Sequence, residues 1–585
     1  MADDLSYFDH NPGKPTRRRG NGWIIGMVSG AIVIVLLLVI GVRAVLVRAL
    51  CEQGPIRLHV AAALDIAPTV QRIGQYFNDL NRNVGGHCTQ VEVTEDPPDT
   101  VATELSGMST IKGEAPVDGW VPDSSLWVDV VRSSAPGAAS VRPTGISIAK
   151  SPLVIAVPRK TVSHLTASEH HIGWSTLFPQ QLGGPSPLLG LQVQLPDPVH
   201  SAVGLATLVQ TRRVLGTQQA ARDKFTNFVH NVVPTTSFDD PQSLSYFAAL
   251  AQPPWEAHPI TVTTEQAVGL YNQTRPQQAL TAFYPSKEYD FDYPFVLTTS
   301  SPLKVQAAQQ FEQILRSSFA QTYVRDGGFR LPGAQADRAG SQYGIIGSPE
   351  PTVALAAPGE TNATLQAWKR LNLGSRDLVL DDVSDAMGQP LGTAGQTRLG
   401  VLQQAARLGL SLFPDSTEMG VWVYSYRMDG ALPYQVMVPV GPLPAQLGLI
   451  TRRQQLEQFT STILPRPKAL ADEYGSILAA FRWMTAHYQP GHVNAVIVLG
   501  SGTQTAPHTM SLSEMLSTLR KDYDPRRPVE IITVTAGNQG DMTALQEITA
   551  ISHGASYTVA QPSDIAQVFF DAIARRICVP NCPTG

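Results

Sequence analysis

The sequence predicts an α/β protein of two successive units behind one apolar N-terminal segment, and three observations carry that prediction. From Arg57 onward, short β-branched runs alternate with amphipathic helical stretches, the pattern of a mainly parallel sheet covered by helices. Residues 341–370, rich in Gly, Pro, Ala, Ser and Thr, interrupt the alternation before it restarts. Residues 23–42, WIIGMVSGAIVIVLLLVIGV, form an uncharged apolar run of the ~20 residues that a helix needs to cross a bilayer.

The apolar run sets the compartment. Lys14, Arg17, Arg18 and Arg19 precede it, so the positive-inside rule puts residues 1–22 in the cytoplasm and the rest outside a plasma membrane crossed once. A cleaved signal peptide has a shorter apolar core of ~7–15 residues and a small-residue cleavage site. This run is longer and no such site follows, so it reads as an uncleaved anchor. The four cysteines are too few for a disulfide scaffold, but an oxidising compartment suits local bridges. They allow three pairings, of which Cys51–Cys88 with Cys578–Cys582 is the simplest.

Composition closes off several classes. A net charge of −5 leaves no basic footprint for nucleic acid. The 47 glycines and 45 prolines follow no period, which excludes collagen-like and largely disordered chains. Charged residues make up 16%, against ~25% in ordinary soluble domains.

Residues 51–340 form the first unit. RLHVAAA reads as a strand, Ile66 to Leu80 as a helix with Pro68 in its first turn, and TQVEVT as a second strand. DGWVPD, SPLVIAVP, LQVQLPD, LTAFYP and DYPFVLTT continue the series. Asp290, Asp292 and Glu288 cluster with aromatics in KEYDFDY, read as a solvated turn in preference to a cleft wall. VAAALDIAPTVQRIGQYFN, WVPDSSLWVD, IAKSPLVIAVPR, IGWSTLF and DPVHSAVGLATL follow one another in an order that resembles extracellular solute-binding proteins of the molybdate- and phosphate-binding type. The resemblance implies a two-lobed domain with crossing strands and a cleft between the lobes. It also implies an anion held by small hydroxyls and helix N-terminal amides, here Ser124, Ser151, Ser201 and Gly204. One departure is plain: the first strand ends Ala63-Leu64-Asp65, where a leucine cannot donate and an aspartate repels an anion. The cleft is left open between an oxyanion, another small or peptide ligand, and no ligand.

Residues 371–577 form the second unit. DLVLDDVS, MGVWVYS, YQVMVPV, NAVIVLGSG, VEIITVTAG and ASYTVA read as strands with helices between them, a doubly wound Rossmann-like sheet. LDDVSDAM, AAFRWM, VNAVIVLGSG, DPRRPVEIITVTAG and PSDIAQVF resemble a von Willebrand factor A domain. Such domains carry a metal-ion-dependent adhesion site, whose hard divalent ion wants oxygen ligands. The match keeps Asp382 and Ser384 of that ligand set. The remaining positions fall on Ala386, Ala471 and Ser501, so the resemblance implies a scaffold that has lost its Mg²⁺. Asp381, Asp385 or Asp472 are the carboxylates near enough in sequence to rescue a distorted site. Residues 578–585 are a tail with a cysteine pair.

No GxGxxG after a strand, P-loop, HExxH or GxSxG is present, and no nucleophile–base pair emerges, so no enzyme is expected. Together the resemblances imply a membrane-anchored recognition or adhesion-type protein. It would dock a protein partner through metal-free loops near Tyr424, Tyr426 and residues 500–505, and take a small ligand in the cleft. The alternative is a solute-binding receptor for an ABC-type transporter with the A-domain as accessory.

Overall fold

In the computed structural model the described residues are 54–108, 116–159, 162, 172–178, 193–216, 218–235, 260–285, 289–333, 344–346, 357, 359–391, 395–537 and 540–578. The apolar run at 23–42, with Cys51 and Cys582, lies outside them. Among the described residues no helix is long and apolar enough to cross a membrane. Cys88 and Cys578 are both disulfide-bonded, and both expected pairings involve a residue outside the described set.

The first lobe follows from alternation. Strand β1 (Ile56–Ala62) buries every residue but two and leads into helix α1 (Ala67–Asp79), whose inward face is Val70, Ile73 and Phe77. Hairpin strands β2 (Asn83–Val84) and β3 (His87–Glu95) follow, then α2 (Pro98–Leu105), β4 (Gly119–Val121), α3 (Ser125–Arg132) and β5 (Arg142–Ser147). The chain then enters the second lobe through β6 (Ser151–Pro158), which is buried along its whole length. Burial on both faces is why SPLVIAVP is a continuous apolar run instead of an alternating one.

The second lobe adds β7 (Val193–Pro196), α4 (Ala202–Leu215), α5 (Gln219–Asn231), β8 (Val233–Thr235), β9 (Ile260–Thr264), α6 (Glu265–Thr274), β10 (Leu280–Phe283) and β11 (Asp290–Phe291). Strand β12 (Pro294–Leu297) returns to the first lobe, followed by α7 (Pro302–Leu315) and α8 (Ser318–Asp326), and β13 (Ile345–Ile346) goes back to the second. The two sheets run β2-β3-β1-β4-β12-β5 and β13-β10-β6-β9-β7-β8, with β11 beside β6. They are mixed, not mainly parallel: β12 is antiparallel to β4 and β5, and β6 to β9 and β10. The difference arises from the two crossings, because a strand returning between lobes enters its sheet reversed.

Helix α9 (Glu360–Leu371) occupies the stretch expected as linker, and it is packed. Leu365, Ala367 and Trp368 belong to the same buried apolar cluster as both lobes. The last unit runs β14 (Gly374–Asp382), α10 (Arg398–Leu412), β15 (Glu418–Asp429), β16 (Leu432–Pro442), α11 (Arg452–Thr462), α12 (Glu473–Ala486), β17 (His492–Gly500), α13 (Leu512–Asp522), β18 (Val529–Ala536), α14 (Met542–Ile551), β19 (Ala555–Val559) and α15 (Ile565–Cys578). Its sheet has the order β16-β15-β14-β17-β18-β19, parallel except for β16. The order reverses at β14, as in doubly wound folds that bind at the strand carboxyl ends. Separate apolar clusters cover its two faces.

Candidate functional site

The carboxyl ends of β1 and β4 meet the second crossing between the lobes. Asp65 follows β1, Asp123 follows β4, and Asp292 and Tyr293 form the crossing between β11 and β12. All three carboxylates are partly buried, and Tyr293 is fully buried. The Tyr293 hydroxyl donates to Asp65, while the Ser125 backbone N–H donates to Asp292 Oδ1 at 2.8 Å. One carboxyl oxygen of Asp123 is buried with no hydrogen-bond partner. Burial pushes the Asp65 carboxyl up to about 6. It lifts Asp123 well above the carboxylate range, aided by the neighbouring Asp65 charge, and it raises Asp292 as well. The Tyr293 phenol feels all three acids and is held protonated by burial and their charges. The crossing between the lobes is therefore lined by three carboxyl groups.

Tyr293 also carries a left-handed backbone, φ 37°, a conformation that bulky residues adopt at a cost of order 1–3 kcal/mol. Ile148 N–H donates to its carbonyl at 3.0 Å, its ring packs edge-on against Phe329 at 5.0 Å, and Ser147 Oγ donates to the Asp292 carbonyl at 2.6 Å. The two crossings are thus tied to each other, and the strain sits at the strand crossing between the lobes.

The lobes are in contact. His200 Nδ1 lies 2.7 Å from Asp99 Oδ2 across the lobe boundary, and α9 reaches over both. Thr361 donates to Asp129 of α3 in the first lobe at 3.4 Å. Glu360 takes a two-pronged pair from Arg213 of α4 in the second lobe, both contacts at 2.9 Å.

At the other candidate site, the carboxyl end of the last sheet, Asp382 is fully buried and accepts from the Ser384 N–H at 2.8 Å and from Ser501 N–H and Oγ at 3.2 and 2.8 Å. Glu473, at the start of α12, is buried beside it and pushed up to about 8, first by burial and then by the Asp382 charge. A Cβ on Gly500 would stand 2.6 Å from the Tyr424 hydroxyl oxygen, so this phenol takes up space beside Asp382. Ala386 and Ala471 supply no side-chain oxygen. Ala471 binds instead through its backbone, its N–H to Thr505 Oγ1 at 2.8 Å and its carbonyl to Ala506 N–H at 2.9 Å. Asp381 lies on the opposite face of β14, since one residue along a strand swaps faces. Asp385 accepts from Lys468 N–H at 2.9 Å and Asp472 caps α12 through Gly475 N–H at 3.2 Å. Among the described residues no group of three His, Cys, Asp or Glu side chains is placed to hold a metal ion.

The family model described as bacterial extracellular solute-binding protein matches residues 58–330. That segment is similar to this family. No match is found among curated proteins. Among solved structures, a von Willebrand factor type A protein from Catenulispora acidiphila is 13% identical, with a TM-score of 0.28, covering 35% of this chain and 43% of its own. A periplasmic thiamin-binding protein is 15% identical at a TM-score of 0.37, covering 54% of this chain and 94% of its own. The sulfate-binding protein SubI from Mycobacterium tuberculosis H37Rv is 15% identical at a TM-score of 0.34, covering 49% and 89%.

Within residues 58–330, the four residues that sequence points to are placed as follows. Ser124 caps α3 through the Leu126 N–H at 3.3 Å, and Ser201 caps α4 through Gly204 N–H at 3.5 Å. Ser151 accepts from Gln266 N–H at 3.1 Å. A Cβ on Gly204 would lie 2.1 Å from the Pro196 carbonyl oxygen, so glycine lets α4 pack on β7. Two readings are corrected. The described part of KEYDFDY, residues 289–293, is no solvated turn: Tyr289, Asp290 and Phe291 are buried because the strand here pairs with β6, while Glu288 lies outside the described residues. Tyr424 is fully buried and cannot face a partner. The carboxyl cluster went unread, although Asp65 was its one visible signal.

Proposed function

We propose that the chain is a membrane-anchored solute-binding receptor whose cleft takes a cationic or hydroxyl-rich solute, not an oxyanion. The observation that carries this reading is the convergence of Asp65, Asp123 and Asp292 on the crossing between two touching lobes. Three carboxyl groups repel an oxyanion, whereas an ammonium or a hydroxyl finds acceptors there, including the free oxygen of Asp123. Similarity to the family over residues 58–330 supports a binder rather than an enzyme. In this reading residues 23–42 anchor the chain with the ectodomain outside, and Cys51–Cys88 and Cys578–Cys582 staple the two ends of the ectodomain. The A-domain is metal-free and accessory, with its docking of a protein partner resting on loop residues 503–510, outside the buried Tyr424.

The test is thermal unfolding of the full chain against organic cations, sugars, sulfate, phosphate and molybdate. A ligand at 100 times its dissociation constant stabilises by ~2.7 kcal/mol. A cation or sugar shift that disappears in Asp123→Asn is expected. A shift with sulfate or molybdate that survives Asp123→Asn refutes the assignment.

A further inference from the structure

The last domain holds a cavity of about 120 Å³ between its sheet and helices α10 and α15. Its walls are largely hydrocarbon, among them Val421, Leu456, Ile497 and Phe569. Four charged side chains also line it: Asp377, Asp381, Glu530 and Arg576. Such a void in a core is uncommon, since interiors are close-packed, and engineered apolar cavities of similar size take up ring compounds.

The charges do not balance along its length. Asp377 and Glu530 lie on one line across the sheet, each in register with Ala495. Arg576, buried among them, interacts with both acids, and Ser375 Oγ donates to Asp377 at 2.7 Å. Asp381 sits four residues farther along β14, ~13 Å at ~3.3 Å per strand residue, beyond the reach of Arg576. It is only 6% exposed. Among the described residues nothing donates a hydrogen bond to its carboxyl and no cation pairs with it, while desolvation and the like charge of Asp382 raise it. A buried carboxyl left without a partner costs stability and calls for an explanation.

We propose that this cavity is a binding site for a small hydrophobic amine, its ammonium paired with Asp381 and its hydrocarbon body against Val421, Leu456, Ile497 and Phe569. A cation supplies the charge missing at that end. A neutral molecule leaves Asp381 unpaired, and an anion meets three carboxyl groups for one guanidinium. The site is separate from the cleft and does not depend on what the cleft binds.

Titration calorimetry of the full chain in detergent tests it, with benzylamine as probe and benzyl alcohol as its neutral counterpart. Benzylamine is expected to bind at least ~10-fold more tightly than the alcohol, a difference of ~1.4 kcal/mol. Asp381→Leu, which removes a buried charge and should fold at least as well, is expected to bring the amine down to the level of the alcohol. Ala495→Phe, which fills the cavity, is expected to abolish both, and Ala572→Leu serves the same purpose if that variant misfolds. Three results overturn the proposal: no saturable benzylamine binding, equal binding of amine and alcohol, or amine binding that persists in Asp381→Leu. Amine binding lost in Asp65→Asn but kept in Asp381→Leu assigns the amine to the cleft.

Discussion

The Tyr293 hydroxyl donates to the Asp65 carboxylate across 228 residues of sequence, joining the strand crossing between the lobes to the end of the first strand. One partner is a left-handed tyrosine and the other a buried acid. Each is unfavourable alone, and each supplies what the other lacks.

Tyr293→Phe keeps the ring and its contact with Phe329 but removes the donor. It is expected to lower stability by about 1–3 kcal/mol, the cost of a buried acceptor left unsatisfied. Solute affinity should fall with it, because Tyr293 holds Asp65 of the proposed cleft in place. Urea denaturation and a binding isotherm on one preparation check both, and an unchanged midpoint refutes the coupling.

Asp65 also predicts a pH dependence with a definite sign. Burial holds its carboxyl at about 6, above the 3.8 of an exposed aspartate. Between those values the folded state binds more protons than the unfolded state, so stability falls as pH rises from about 4 to about 6 and levels off above. In Asp65→Asn the amide oxygen still accepts from Tyr293 and this contribution disappears. Relative to wild type, the variant should therefore gain up to about 3 kcal/mol between pH 4 and pH 7. Chemical denaturation at the two pH values reads the difference, and a variant that parallels wild type at both rules the assignment out.

Helix α9 predicts that the link between the domains controls the lobes. Glu360→Ala breaks the two-pronged pair with Arg213 and frees the end of α9 from the second lobe, while Thr361 still touches the first. The partly buried pair is expected to contribute about 1 kcal/mol. Hydrogen exchange should rise in α3 and α4 together in Glu360→Ala, and Arg213→Ala should reproduce it. Faster exchange confined to α9 would show that the helix rests on the lobes without tying them.

Much of this was legible in the residues, for local reasons. RLHVAAA and MGVWVYS carry their own strand pattern, and Ser124 and Ser201 stand just before the helices they cap. The carboxyl cluster was not legible, because Asp65, Asp123 and Asp292 come from three distant segments and only the crossing strands bring them together. KEYDFDY misled for a related reason: charged residues beside aromatics look like a surface turn unless the topology threads them between two lobes. Asp381 and Asp382 are neighbours in sequence, yet the strand turns the two to opposite faces, one toward Ser384 and Ser501 and one into a cavity.

The carboxyl end of the last sheet predicts a rescue. A Cβ on Gly500 would lie 2.6 Å from the Tyr424 hydroxyl oxygen and 3.3 Å from the Asp382 Cβ. The first distance is shorter than side chains tolerate, and Tyr424 is fully buried and has little room to retreat. Gly500→Ala is therefore expected to cost about 1–3 kcal/mol through overpacking. Tyr424→Phe removes the one oxygen that the new methyl meets most closely, so the double variant should recover at least half of that loss. The interaction energy from the cycle should fall in the range of about 0.5–3 kcal/mol found for residues in contact. Equilibrium denaturation of the two single variants and the double variant measures it. Strict additivity would mean that the glycine is kept for its backbone or for Asp382, and that Tyr424 does not fill the space beside them.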